Sequence, residues 1–123
     1  MGEVAPFPTA TVRVFGLYSD LEATAIIDTG FEGYISLPTE LAEPLGLVLK
    51  RQTLITLANG QEYRELAFSG EVEFLGQRMK VPILLMDGGE VLIGNLLLHD
   101  CQLVIDYPTK KVNLFRTERK KKK

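Results

Sequence analysis

The chain has 123 residues, 46% of them hydrophobic, with a net charge of −2, one cysteine and one histidine. That is enough chain for one domain with its own core, and it excludes an intrachain disulfide and a zinc site built from His99 and Cys101 alone, since zinc needs three or four ligands. No apolar run approaches the roughly 18 residues of a membrane span, and five of the fourteen cations fall in residues 119–123, so the body carries about −7, the wrong sign for neutralising phosphates.

Residues 1–6 have neither the basic nor the apolar stretch of a secretory signal, and Pro6 stands where a myristoylation signal needs Ser or Thr. A cytoplasmic protein is expected, without nucleic-acid or membrane partners and without a metal or other cofactor. Residues 1–10 are read as an N-terminal extension, 11–116 as the folded domain and 117–123 as a basic, solvated tail.

Residues 11–16 alternate apolar and polar side chains and predict a strand. A turn over 17–21 leads to a second strand, 22–27, which runs directly into Asp28-Thr29-Gly30. A carboxylate at the end of a buried strand is costly unless it is hydrogen-bonded or used. Gly30 lets the backbone turn and bring its N–H toward that carboxylate, and the Thr29 hydroxyl can donate and accept. An Asp-containing turn that simply ends a strand has the same composition, so this tripeptide alone leaves a structural and a chemical reading open.

A short strand follows at 34–37. Residues 38–46 predict one short helix, with Pro38 at its start and Gly46 at its end, limited by Pro44. Segments 52–57 and 61–68 flank Ala58-Asn59-Gly60, and Asn-Gly between strands is a strong hairpin signal. Segments 71–75 and 78–85 flank Gly76-Gln77, a second hairpin. After a loop at Asp87-Gly88-Gly89, the apolar run Val91-Leu92-Ile93 ends in Gly94 and leads into a short helix over 95–99. Segments 103–106 and 112–115 form a closing hairpin. Cys101 reads as a buried thiol; Asp106 reads as a hairpin-turn residue, Asp87 and Asp100 as loop and helix-end residues. Short strands with turn signals every 8–12 residues or so predict an all-β domain, a small closed β-barrel with one or two short helices.

An apolar strand, Asp28-Thr29-Gly30, a hairpin at Asn59-Gly60, then Leu92-Ile93-Gly94 and a short helix about 65 residues after the first motif: this order resembles the retropepsin-like aspartic proteases. The stretch Ile27-Asp28-Thr29-Gly30-Phe31-Glu32-Gly33-Tyr34 is most similar to their small single-domain bacterial members. The resemblance spans residues 11–115. It implies an aspartic endopeptidase acting on a peptide or protein substrate, with Asp28, Thr29 and Gly30 as the catalytic loop. Thr29 would bond across a two-fold axis and the Gly30 N–H would support the carboxylate. Phe31, Leu57, Ala58, Asn59 and Gly60 would contact substrate, the last four as a flap; Leu92, Ile93 and Gly94 would pack beneath the catalytic loop.

Hydrolysis by carboxylates needs two of them, sharing one proton because like charges that close cannot both ionise. One Asp-Thr-Gly per chain implies a homodimer that pairs two Asp28 residues, and two-fold dimers are the commonest oligomers. Asp106 is the internal candidate for a second carboxylate. The sequence departs from the viral pattern in three places: Phe31 stands where a small residue is usual, Asn95 is followed at once by the paired leucines, and the C-terminus is a lysine run, ill suited to an interleaved sheet. Two other readings are therefore kept: a catalytically silent peptide-binding or assembly domain with Phe31 filling the cleft, and a monomeric barrel in which Asp28 is structural.

Overall fold

Strand β1 (Thr9–Phe15) buries Val12 and Val14 and leaves Thr11 exposed, the period-two pattern of a strand with one covered face. It pairs antiparallel with β2 (Asp20–Ile27). The computed structural model describes residues 7–117; residues 1–6 of the expected extension and residues 118–123 of the tail lie outside the described residues. β1 begins two residues ahead of the predicted strand, inside the stretch assigned to the extension.

After β2 come β3 (Ile35–Pro38), α1 (Thr39–Ala42) and a 3₁₀ turn (Glu43–Leu45). The single helix expected here is thus split: Pro44 tightens its second half, and Gly46 ends it in the left-handed region at φ 77°, the usual way a helix stops on glycine. Then follow β4 (Val48–Thr56), β5 (Glu62–Phe74), β6 (Gln77–Met86), β7 (Leu92–Ile93), α2 (Asn95–Leu98), β8 (Cys101–Asp106) and β9 (Lys111–Arg116).

Neighbouring strands run β1-β2-β7-β3-β6-β5, and β5 pairs back onto β1 with Val14 opposite Val72. Six strands therefore close into a barrel, which removes their free edges. Fully buried Val14, Ile35, Leu37, Val72, Ile83 and Ile93 fill it. Strand β4 pairs with β5 alone, so the β4–β5 hairpin projects beyond the barrel.

Strand β5 corrects the sequence reading, which broke it at Ser69-Gly70. It is continuous for 13 residues. Gly70 is there for close packing: a Cβ on it would lie 2.5 Å from Ile83 Cδ1. The same strand bonds β4 with one half and β1 with the other, while β6 runs alongside from Ala67 to Phe74. The next turn is Leu75-Gly76, one residue earlier than expected. Leu75 and Gly76 have φ of 51° and 78°, and a two-residue hairpin turn of the primed kind needs positive φ at both positions.

The β8–β9 hairpin is a separate two-stranded sheet. One ion pair fastens its end. Arg116 donates to both Asp100 carboxylate oxygens, at 3.0 and 3.1 Å, and to the Phe74 carbonyl at 2.8 Å. Burial works against the Asp100 charge, but the Arg116 guanidinium outweighs it and holds the carboxyl below its ordinary range. Cys101, expected buried, is only partly so; desolvation first, then the Asp100 carboxylate, push its thiol up and keep it protonated.

A carboxyl whose folded pKa is depressed contributes stability above its unfolded pKa, about 3.9, and loses it as pH falls through the folded value. Asp100→Asn is thus expected to lower unfolding free energy at pH 7 by about 1 kcal/mol or less, the range for partly exposed ion pairs. The difference from the parent should shrink as pH is lowered through the carboxylate range. Urea unfolding of both proteins at pH 7 and at acid pH checks this; a deficit that grows in acid contradicts it.

Candidate active site

Strand β2 carries Ala25 and Ile27 into the core and then leaves it: Asp28 is half-buried, Thr29 and Gly30 are exposed. Strand β7 fixes the point of exit. It lies parallel to β2, with Ile27 opposite Ile93, and the Asp28 N–H donates to the Ile93 carbonyl at 2.9 Å. On the other side the Ile27 N–H donates to the Pro8 carbonyl at 2.8 Å.

Past Asp28 the chain turns tightly. The Phe31 N–H donates to the Asp28 carbonyl at 3.1 Å, and the Gly30 N–H donates to Asp28 Oδ1 at 3.0 Å. The turn then rests on the start of α2. Gly94 N–H donates to the Tyr34 carbonyl at 3.0 Å, Asn95 N–H to the Phe31 carbonyl at 2.9 Å, and Leu96 N–H to the Gly33 carbonyl at 3.0 Å. The Asn95 side chain adds two more bonds, from Nδ2 to the Thr29 carbonyl at 2.6 Å and to Glu32 Oε2 at 3.0 Å.

This contact leaves no room at Gly94. A Cβ there would lie 2.3 Å from the Gly33 carbonyl oxygen and 2.6 Å from that of Phe31. Phe31 packs its ring onto Gly33, where a Cβ would meet the ring at 2.6 Å, and against Gly94. Its bulk is thereby held against the loop, and a cleft of about 950 Å³ remains beside Asp28.

The cleft is lined by Asp28 and Phe31, by Leu84, Leu85 and Leu92 from β6 and β7, and by Tyr63, Arg64, Glu65, Leu66 and Phe68 of the projecting hairpin. Glu43 and Asp87 add negative charge. The predicted flap residues lie elsewhere: Leu57, Ala58, Asn59 and Gly60 form the exposed tip of the β4–β5 hairpin, beyond the cleft lining. There the Gly60 N–H donates to the Leu57 carbonyl at 2.9 Å, and Gly60 sits at φ 88°.

Of the residues expected beneath the loop, Leu92 faces the cleft, Ile93 is fully buried and Gly94 carries the backbone contact. Asp106 lies at the end of β8 and its Oδ1 accepts the Thr109 N–H at 3.4 Å, outside the cleft lining. Among the described residues, no three of His, Cys, Asp and Glu converge as a metal ion would require, and no helix is long and apolar enough to cross a membrane.

The sequence reading missed two features. Glu32 and Asn95 are joined although 63 positions apart; the only trace is a polar residue directly after the apolar-apolar-glycine turn. Ser36 is 2% exposed and lines the cleft floor, with Oγ unpartnered. Alternation in a strand covered on both faces gives no cue to that.

Gly94→Ala is expected to destabilise the protein by about 1–3 kcal/mol, as overpacking does, because its new methyl meets backbone and not a flexible side chain. Urea unfolding measures this; a change within about 0.5 kcal/mol would show that the two loops can separate freely.

Solved structures that share this fold at low identity include two viral proteases. One is the EIAV protease complexed with the inhibitor HBY-793, with a TM-score of 0.56 and 22% identity over 76% of this chain and 86% of that one. The other is the solution structure of Simian Foamy Virus (mac) protease, with a TM-score of 0.58 and 14% identity over 75% of this chain and 92% of that one. No curated protein matches. The aspartyl protease family model matches residues 10–98, the stretch from β1 through α2 that contains both the Asp28 loop and the Gly94 contact. The chain belongs to the aspartyl protease family.

Proposed function

We propose that this protein is an aspartic endopeptidase that works as a homodimer. The observation that carries the reading is Asp28 at the mouth of a buried strand, its carboxylate held by the Gly30 N–H and opening onto a large, mostly apolar cleft. Family membership and the shared fold of two viral proteases support it.

In the proposed reaction two Asp28 carboxyls, one from each chain, share a proton. The ionised one takes a proton from water, whose oxygen attacks the scissile carbonyl carbon. The protonated one hydrogen-bonds and then protonates the carbonyl oxygen. The carboxyl that took the water proton then passes it to the amide nitrogen, a hydroxyl of the tetrahedral intermediate returns its proton to the other carboxylate, and the C–N bond breaks to give acid and amine with the pair again sharing one proton. Thr29, exposed beside Asp28, would bond across the two-fold axis and keep the two loops in register.

Substrate would lie extended below the β4–β5 hairpin, with apolar side chains against Leu66, Phe68, Leu84 and Leu92. The hairpin tip, Leu57 to Gly60, would close over it and exclude water. Its low-contact position suits that role, since segments with few buried contacts open at least cost.

Asp28→Asn is expected to keep the unfolding midpoint and to lower cleavage of an unstructured protein such as casein by at least about 10²-fold. Retained binding of the same substrate by the parent without any cleavage would instead make it a silent peptide-binding domain. Excess Asp28→Asn chains mixed with parent chains should suppress activity, because each mixed dimer holds one ionisable carboxyl. A sedimenting monomer that still cleaves would overturn the dimer and bring Asp106 forward.

The rate should also be bell-shaped in pH, since one carboxyl must be ionised and one protonated, and the two titrate as a pair. Initial rates across the acid to neutral range test this; a rate that rises steadily into alkali contradicts it.

A further inference from the structure

One peptide group links Asn95 to the carboxylate. The Thr29 carbonyl and the Gly30 N–H belong to the same planar unit and point in opposite directions. Asn95 Nδ2 donates to that carbonyl at 2.6 Å, and the N–H at the other end donates to Asp28 Oδ1 at 3.0 Å. The plane is thus held at both ends. Its orientation is set by whatever holds Asn95.

Glu32 does so. Its Oε2 takes a second bond from Asn95 Nδ2 at 3.0 Å. A carboxamide NH₂ has two hydrogens, and here Nδ2 has two acceptors, the Thr29 carbonyl and a Glu32 carboxylate oxygen. The amide can therefore sit only one way round. The Asn95 backbone is fixed separately, through its N–H to the Phe31 carbonyl at 2.9 Å. Hydrogen bonds in a chain polarise one another, so a donor on the Thr29 carbonyl makes the Gly30 N–H a stronger donor to Asp28.

We propose that Asn95 is a positioning residue for the Asp28 carboxylate, acting through the Thr29–Gly30 peptide and itself locked by Glu32. The effect on turnover rests on the protease reading above; the effect on the Gly30 N–H does not. Asn95 reaches no cleft-lining position, so it acts on the orientation of the reacting group and leaves substrate contact alone.

The test compares the parent with Asn95→Leu and Asn95→Asp, and with Glu32→Lys against Glu32→Gln. Two readouts are taken: kcat and KM on an unstructured protein substrate, and the Gly30 amide proton by NMR, in chemical shift and exchange rate. Removing the Asn95 donor should lower kcat roughly tenfold, the net size of one hydrogen bond, with KM within about twofold. It should move the Gly30 proton upfield and speed its exchange. Glu32 is exposed, so its variants should fold. Glu32→Lys, which sets a donor against a donor, should shift the Gly30 proton in the same sense, and Glu32→Gln, which keeps an acceptor, should restore it. An unchanged Gly30 proton in both Asn95→Leu and Glu32→Lys overturns the proposal. So does a loss confined to KM. A parent that cleaves nothing refutes the protease reading, and the Gly30 measurement then still decides the relay.

Discussion

The site depends on one backbone contact, the closure of the loop after Asp28 onto the turn at Gly94. Three N–H groups, of Gly94, Asn95 and Leu96, donate to carbonyls of Tyr34, Phe31 and Gly33. These bonds form only if the backbones approach within a distance that any side chain on Gly94 would prevent. Buried backbone groups must find partners, and here each loop supplies the partners of the other. The position of the carboxylate follows from that mutual satisfaction.

Barrel topology brings the two loops together. Strands β2 and β7 are parallel neighbours although they lie far apart in sequence, so Ile27 and Ile93 end side by side. Antiparallel β3 then returns between β7 and β6, covering the pair. The long β5 contributes to two structures at once: its second half closes the barrel against β1, and its first half carries β4 outward. The cleft is the space between that outward half and the barrel end where Asp28 emerges. A strand serving both needs close packing at its midpoint, and Gly70 against Ile83 provides it.

Phe31 shows how tertiary contact changes the meaning of a residue. By size alone it reads as an obstruction beside the carboxylate. In the fold it packs onto Gly33 and Gly94, two positions without side chains. The bulk fills a hollow made by glycines, and it forms one wall of the cleft without closing it.

Much of this was legible in the chain. Period-two alternation placed the first strand, turn signals bracketed the others, and Asn59-Gly60 marked the projecting hairpin, because all of these signals depend on neighbours in sequence. Asp28-Thr29-Gly30 could be singled out because a carboxylate directly after a buried strand is costly unless it is used or bonded, and Leu92-Ile93-Gly94 because it follows in the order and at the spacing of the family it resembles. The continuity of β5 could not be read, since a glycine required by packing against Ile83 looks the same as one required by a turn. Nor could the Asn95–Glu32 bond or the unpartnered Ser36 hydroxyl be read, because they arise from strands brought together across the barrel. Local sequence determined which segments turn and which extend. Only the closed barrel decided which of them meet, since hydrogen bonds between distant loops exist only once the strands beneath them are in register.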